Sequence, residues 1–300
     1  MSRASYSILS IAFFLLCPLA AAKELRIGVL AKRGASQAIE QWGPTAEYLS
    51  GKLQQSVVII PIEFSKIDFM VRNARIEFLL ANSSFYVKME KKYHAKAIAT
   101  LINSAGGKPV SKFGGVLFAR KTSAINELKD VIGKKLMCVK YSSFGGGQMT
   151  MRLLYEHQIN PFQDLGAFME GGTHDLVVYA VLLGTVDAGT VRSDTLERMH
   201  LEGKIELSDF KIIHPQKLDF PFLCSTRLYP EWPMAVLSHV PESIADRVAA
   251  ALLEIKPNSE TAVAARIVGW EEPADYGSVN MCLKKVDQMV NAFTETTHEP

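Results

Sequence analysis

The sequence predicts an α/β fold of two lobes, each a mixed, mostly parallel sheet flanked by helices, and three observations carry that prediction. Strand-like runs alternate with helical segments of about ten residues, the mark of βαβ units. The alternation comes in two series, with no flexible linker or low-complexity tract between them. Setting aside the first 22 of 300 residues leaves 278, enough for two cores as readily as one. Two series without a linker imply lobes joined by crossing strands, expected at residues 114–121 and 210–217. The corresponding boundaries are 23–115 with 216–300 for lobe 1 and 116–215 for lobe 2.

In the first series, ELRIGVLA is a near-continuous apolar run and reads as a buried strand. The segment 44–53 places Ala46, Leu49 and Leu53 on one helical face. SVVIIPIEF, IEFLLANSS and AKAIATLIN read as strands, with helices over 67–73 and 85–92 between them. The second series runs FGGVLFARK, KKLMCVK, a helix after Gly147, the helix HDLVVYAVLLG, the strand VDAGTVR and a helix over 193–200. FKIIHPQK and MAVLSHV return to strand character, and the tail from Glu242 reads as helical with breaks near Pro257 and Pro273. Trp42 and Trp232 read as packing residues.

The first 22 residues have the form of a secretory leader: Arg3, an apolar core from Ile8 to Cys17, and Ala20-Ala21-Ala22 before Lys23. The apolar run is shorter than the ~20 residues a membrane helix needs. Export to the periplasm with cleavage after Ala22 is therefore expected, with no membrane insertion of the mature chain. Removing Arg3 from 33 basic residues leaves 32 against 31 acidic ones, a net charge near +1. That balance excludes a nucleic-acid surface, which needs a basic excess. Three cysteines remain, Cys138, Cys224 and Cys282, enough for one disulfide and one thiol; their pairing is open. No cysteine–histidine spacing suits zinc, and no cofactor is called for.

The stretch KYSSFGGGQMTMRLL follows a strand and opens a helix. A small-residue loop at a helix start can hold an anion on free backbone N–H groups. It can equally be a plain N-cap and tight turn. ANSSFYVKM (81–89), YSSFGGGQMTMRLLYEHQINPFQD (141–164) and GGTHDLVVYAVLLGTVDAGTVRSDTLERM (171–199) tip the balance. Over nearly the whole mature chain, these segments resemble the phosphate/phosphite/phosphonate-type periplasmic binding proteins, two-lobed clamshell receptors of type 2. CSTRLYPEWPMAVL (224–237) is similar to a subgroup, the extracytoplasmic sensor domains of tetrathionate-type histidine kinases and their stand-alone relatives.

The resemblance implies a cleft in which Ser142, Ser143 and the backbone of Phe144, Gly145 and Gly146 hold an oxyanion, with His174 donating to it. It implies an acidic residue at Asp194 and a hydroxyl from the opposite lobe at Tyr86. Arg192 is a further candidate, able to pair with the oxyanion or with a nearby aspartate. Phe69 stands where phosphonate binders carry a tyrosine, and FPFL (220–223) is apolar where aminophosphonate binders offer an aspartate. These departures favour an anion with less hydrogen-bonding demand or more apolar surface. The implied partners are a small anion and either an ABC permease or a membrane histidine kinase, with the protein a monomer. Two other readings compete: an enzyme using Ser143 and His174, and a ligandless scaffold whose cleft is filled by Phe69, Phe144 and Phe222.

Overall fold

The computed structural model describes residues 23–296, with side chains through residue 291. The expected leader and its cleavage site lie outside the described residues.

The first lobe begins β1 (Leu25–Leu30), α1 (Ala35–Leu53), β2 (Val57–Ile62), α2 (Ile67–Arg72), β3 (Phe78–Leu80), α3 (Ser83–Tyr93), β4 (Lys96–Ala105) and β5 (Lys108–Val110). A two-residue strand β6 (Lys112–Phe113) leads into the second lobe. That lobe holds β7 (Gly115–Arg120), β8 (Lys135–Cys138), α4 (Met149–Glu156), β9 (Ala167–Glu170), α5 (His174–Leu182), β10 (Ala188–Arg192), α6 (Thr195–Leu201) and β11 (Phe210–Ile213). The chain returns through β12 (Tyr229–Pro230) to β13 (Pro233–Val236), α7 (Glu242–Leu253), α8 (Glu260–Ala265), β14 (Ile267–Glu271) and α9 (Gly277–Thr296).

The larger sheet has the order β14-β4-β13-β3-β1-β2, with β5 on β4; the smaller has β11-β7-β10-β8-β9. β1 pairs in parallel with both β2 and β3, as its apolar run requires of a strand covered on both faces. Gly28 lies mid-strand because Ile62 and Ile76 fill the space a Cβ would need, at 2.4 and 2.7 Å. β13 inserts antiparallel between β3 and β4, so the returning chain completes the first sheet. β10 pairs in parallel with β8 and antiparallel with β7.

The lobes are joined one step outside the expected segments. Residues 114–121 and 210–217 contain β7 and β11, which pair with each other inside the smaller sheet. The crossing strands are β6 and β12, paired through Phe113 with Tyr229 and Lys112 with Pro230. Helix α1 starts at Ala35, not Pro44; Pro44 sits in its interior and Ala38 and Trp42 extend its buried face. The tail is not wholly helical, because the Ile-Val-Gly-Trp run forms β14 on the edge of β4.

One core fills the first lobe and extends through Phe113, Phe144, Met149 and Tyr229 into the hinge. Two further clusters cover the faces of the smaller sheet. Cys138, Cys224 and Cys282 are all buried free thiols, so none of the possible disulfides forms. Burial pushes the thiol pKa of each upward, which keeps them protonated and inert.

Candidate functional site

The carboxyl end of β1 and the carboxyl end of β10 face each other across the lobe junction, where ligands of open α/β sheets collect. β1 delivers Lys32, Arg33 and Gly34; β10 delivers Arg192 and then Asp194. Two small adjoining cavities, of about 30 and 50 Å³, lie between them. Lys32, Arg33, Gln37, Gln41, Asp194 and Arg198 line both cavities, and Trp42, Asn103, Arg192 and Trp232 line the first. The two linings together hold five cations (Lys32, Arg33, Arg192, Arg198, Arg266) and two carboxylates (Glu40, Asp194). Four of the five are ion-paired, Arg33 with Asp175 and Glu202, Arg192 with Glu231, Arg198 with Asp194 and Arg266 with Glu202, which leaves Lys32 as the cation open to an anion. These two cavities have space for only a few waters, so a polyatomic ligand needs the lobes to part there.

Arg192 is the buried centre of the site. Its guanidinium pairs with Glu231 at 2.5 Å and Asp194 at 3.3 Å and lies 4.5 Å from the Phe113 ring centre. Burial alone would lower its pKa, but Asp194 and Glu231 outweigh that and raise it. Asp194 occupies the left-handed region at φ 78°, which Asp tolerates better than most residues. Its carboxylate accepts from Asn103 of the first lobe at 3.0 Å and Arg198 at 3.1 Å. Burial pushes that carboxyl upward, while Arg192, Arg198 and Lys32 together hold it below the usual carboxylate range. Asp194 is thus a counter-ion tying the lobes together.

His174 opens α5, after a Thr173 cap whose hydroxyl accepts from the Leu176 N–H. Its Nδ1 accepts from the Arg192 backbone N–H at 3.3 Å, so the neutral ring carries its proton on Nε2. Burial first, then the charges of Lys32 and Arg192, depress its pKa well below the ordinary value.

Lys32 differs from the other cations. Among the described residues no carboxylate lies within 4.0 Å of its ammonium, which sits 5.0 Å over the Trp232 ring. Burial, then Arg192, draws its pKa down to about 7. The indole N–H of Trp232, in the same lining, is buried without a hydrogen-bond partner.

The remaining expected residues separate. Ser143 is buried against Gly146, and a Cβ on Gly146 would lie 3.0 Å from the His174 ring and 3.1 Å from the Ser143 hydroxyl. Ser142 faces a different groove, of about 590 Å³, with Lys140, Glu170 and Phe64. Phe144 is fully buried in the hinge, its ring 4.9 Å from Tyr229 and 6.0 Å from Phe113. Tyr86 is away from the cleft: its hydroxyl donates to Glu90 and its ring packs edge-on against Tyr276. Phe69 is exposed on α2. Neither cavity lining includes Phe69, Phe144 or Phe222, so these rings do not plug it.

Residues 144–148 form a π-helical turn ahead of α4, and the three glycines there are a packing requirement. A Cβ on Gly145 would lie 2.7 Å from the Arg192 Cβ, and one on Gly147 would lie 2.4 Å from the Lys140 carbonyl oxygen. Gly147→Ala is expected to destabilise the protein by about 2 kcal/mol, because backbone cannot yield as a side chain can. Gly51→Ala, on an open face of α1, is expected to be neutral or slightly stabilising. Equal urea midpoints for the two variants would remove this account of the glycines.

Lys32, Arg33, Trp232, Glu231, Asn103 and Arg198 were not anticipated. The rule that ligands sit at carboxyl ends of strands, applied to ELRIGVLAKRG, would have found the first two. Among the described residues, no cluster of three His, Cys, Asp or Glu side chains could hold a metal ion, and no helix is long and apolar enough to cross a membrane.

Residues 27–276 match the family model described as ABC transporter, phosphonate, periplasmic substrate-binding protein. The tetrathionate sensor histidine kinase TtrS of Salmonella typhimurium is 31% identical over 276 residues. That alignment covers 91% of this chain and 45% of the kinase, so the chain spans about half the length of this relative. A binding protein component of an ABC phosphonate transporter from Pseudomonas aeruginosa superposes with TM-score 0.76 at 14% identity, covering 90% of this chain and 89% of that one. PhnD1 from Prochlorococcus marinus, in complex with methylphosphonate, gives TM-score 0.72 at 14% identity over 88% and 98% of the two chains. Both likenesses place the chain among two-lobed binding-protein folds.

Proposed function

The chain belongs to the phosphonate-type family of periplasmic substrate-binding proteins, and from that premise we propose that it captures a small anion in the interlobe cavity beside Lys32. The observation that carries the reading is the ammonium of Lys32, held over Trp232 without a carboxylate partner in a cavity whose other cations are ion-paired. The unpartnered indole N–H of Trp232 offers a neutral donor to the same ligand. Asp194 and Glu231 neutralise Arg192 and leave Lys32 as the open charge.

Two ligand classes fit the relatives: a phosphonate, as in the methylphosphonate complex, and a sulfur oxyanion, as the kinase's name suggests. The 31% identity to the kinase, against 14% to the phosphonate binders, favours the sulfur oxyanion. The closed form would then be read by a membrane histidine kinase, or by an ABC permease if the ligand is cargo. Residues 1–22, read as a leader, would place the mature protein in the periplasm.

A thermal-shift panel of thiosulfate, tetrathionate, sulfate, phosphate, phosphite and methylphosphonate tests the proposal. A ligand at a hundred times its Kd adds about 2.7 kcal/mol, or about 5 °C or more for a chain of this size. The shift should disappear in Lys32→Met and weaken in Trp232→Phe. A hit retained in full by Lys32→Met would move the site elsewhere. A silent panel on folded, ligand-stripped protein would overturn the small-anion reading.

A further inference from the structure

We propose that anion capture in this cavity is coupled to uptake of one proton by Lys32. The proposal rests on the anion-capture reading and adds its protonation chemistry.

The groups facing Lys32 come from every element around it. The end of β10 and the turn after it present Arg192 and Asp194; α6 presents Arg198; the segment before β13 presents Glu231; α5 presents His174; α1 presents Glu40; the end of α8 presents Arg266; Arg33 is its neighbour. Two of the three carboxylates are already engaged, Asp194 by Asn103, Arg192 and Arg198, and Glu231 by Arg192, and the third, Glu40, is exposed on α1 and makes no ion pair with Lys32 within 4.0 Å. A charged Lys32 therefore meets arginines and lacks a counter-charge of its own. Burial and Arg192 bring its pKa to about 7, so the empty cavity holds a substantial fraction of neutral amine near neutral pH. An anion supplies the missing charge. The amine lone pair takes a proton from solvent, and the resulting ammonium pairs with the bound anion.

His174 is excluded as the acceptor by geometry. Its only ring position for a second proton is Nδ1, which already accepts the Arg192 backbone N–H. Protonating it would break that bond and add a cation beside Lys32 and Arg192.

The sign follows from linkage. Binding raises the Lys32 pKa, so affinity is greatest below the ligand-free value and falls as pH rises through it, by up to tenfold per unit. Calorimetry at pH 8 in HEPES and in Tris, at matched ionic strength, reads the effect with whichever of thiosulfate, tetrathionate, sulfate or methylphosphonate binds. The expected result is a binding enthalpy that differs between buffers by an amount equivalent to about one proton taken up, and affinity about tenfold weaker at pH 9. Lys32→Arg, whose guanidinium stays charged, should bind with the buffer dependence gone; His174→Gln should keep it. Subtracting the Lys32→Arg result removes any proton taken up by the ligand itself. Equal enthalpies in the two buffers for the wild type, or uptake as large in Lys32→Arg as in the wild type, would overturn the proposal while leaving anion capture standing. Absence of binding by every anion would overturn both.

Discussion

Arg192→Met is expected to destabilise the protein by about 3–5 kcal/mol, lowering the melting midpoint by about 10 °C. The reason is the state in which it leaves Glu231. That carboxylate is fully buried, and Arg192 reaches it with two nitrogens, at 2.5 and 3.3 Å. Without the guanidinium, the Trp232 backbone N–H at 3.2 Å is the one remaining donor to Glu231 among the described contacts. Asp194 suffers less, since Asn103 and Arg198 still hold it. Glu231→Met should cost less than Arg192→Met, because Arg192 keeps Asp194 as a partner. The double variant Arg192→Met with Glu231→Met removes both buried charges and leaves apolar side chains among Phe113 and Trp232. It should recover most of the loss, a coupling of about 2 kcal/mol or more in a double-mutant cycle. Urea unfolding with unchanged m-values reads it directly. Additive losses would show that Arg192 acts through packing on the two rings and not through its charge.

Most strands and helices were legible because each carries its own periodicity. β1 is a continuous apolar run, and α5 and β10 sit in the pattern HDLVVYAVLLGTVDAGTVR with caps at both ends. The crossing strands were not legible, because β6 and β12 have two residues each and no period can be read from two residues. β7 and β11, beside them, carry the stronger strand signal, so the sequence points to those instead. The site divided along the same line. His174, Arg192 and Asp194 lie at ends of elements the pattern had already placed. Asn103, Glu231 and Trp232 reach the cleft only through the sheet order, since β13 slots between β3 and β4. Tyr86 could have been read correctly from sequence: Glu90 stands four residues on, on the same face of α3, where it accepts the Tyr86 hydroxyl. Three glycines in a row suggested bare N–H groups. The tighter constraint is what surrounds their missing side chains.

Arg33→Ala is expected to open the molecule. Arg33 follows β1 in the first lobe, and its guanidinium binds two carboxylates of the second: Asp175 at 2.5 and 2.8 Å and Glu202 at 2.7 and 2.8 Å. The arginine side chain is 9% exposed and the carboxylates 17% and 16%, so solvent screens the pairs less than at an open surface. Removing it does not orphan either acid, because Lys204 remains beside both and Arg266 beside Glu202. The cost is therefore smaller than for Arg192 in the hinge, about 2 kcal/mol, which lowers the ratio of closed to open forms about 30-fold. The loss falls on closure and not on the fold, since neither lobe's core includes these groups. Small-angle scattering should report a larger radius of gyration for the ligand-free variant, and anion affinity should fall by up to the same factor. Arg266→Ala added to it should widen the effect, because Arg266 is a second first-lobe cation on Glu202. The pH dependence has a definite sign. The hydrogen bond from Arg33 leads the effects that hold the Glu202 pKa below its ordinary 4.5, so the clasp is complete above that value and weakens as pH falls below it. An Arg33→Ala protein with wild-type dimensions and wild-type affinity would show that the hinge packing of Phe113, Phe144 and Tyr229 alone sets the lobe angle.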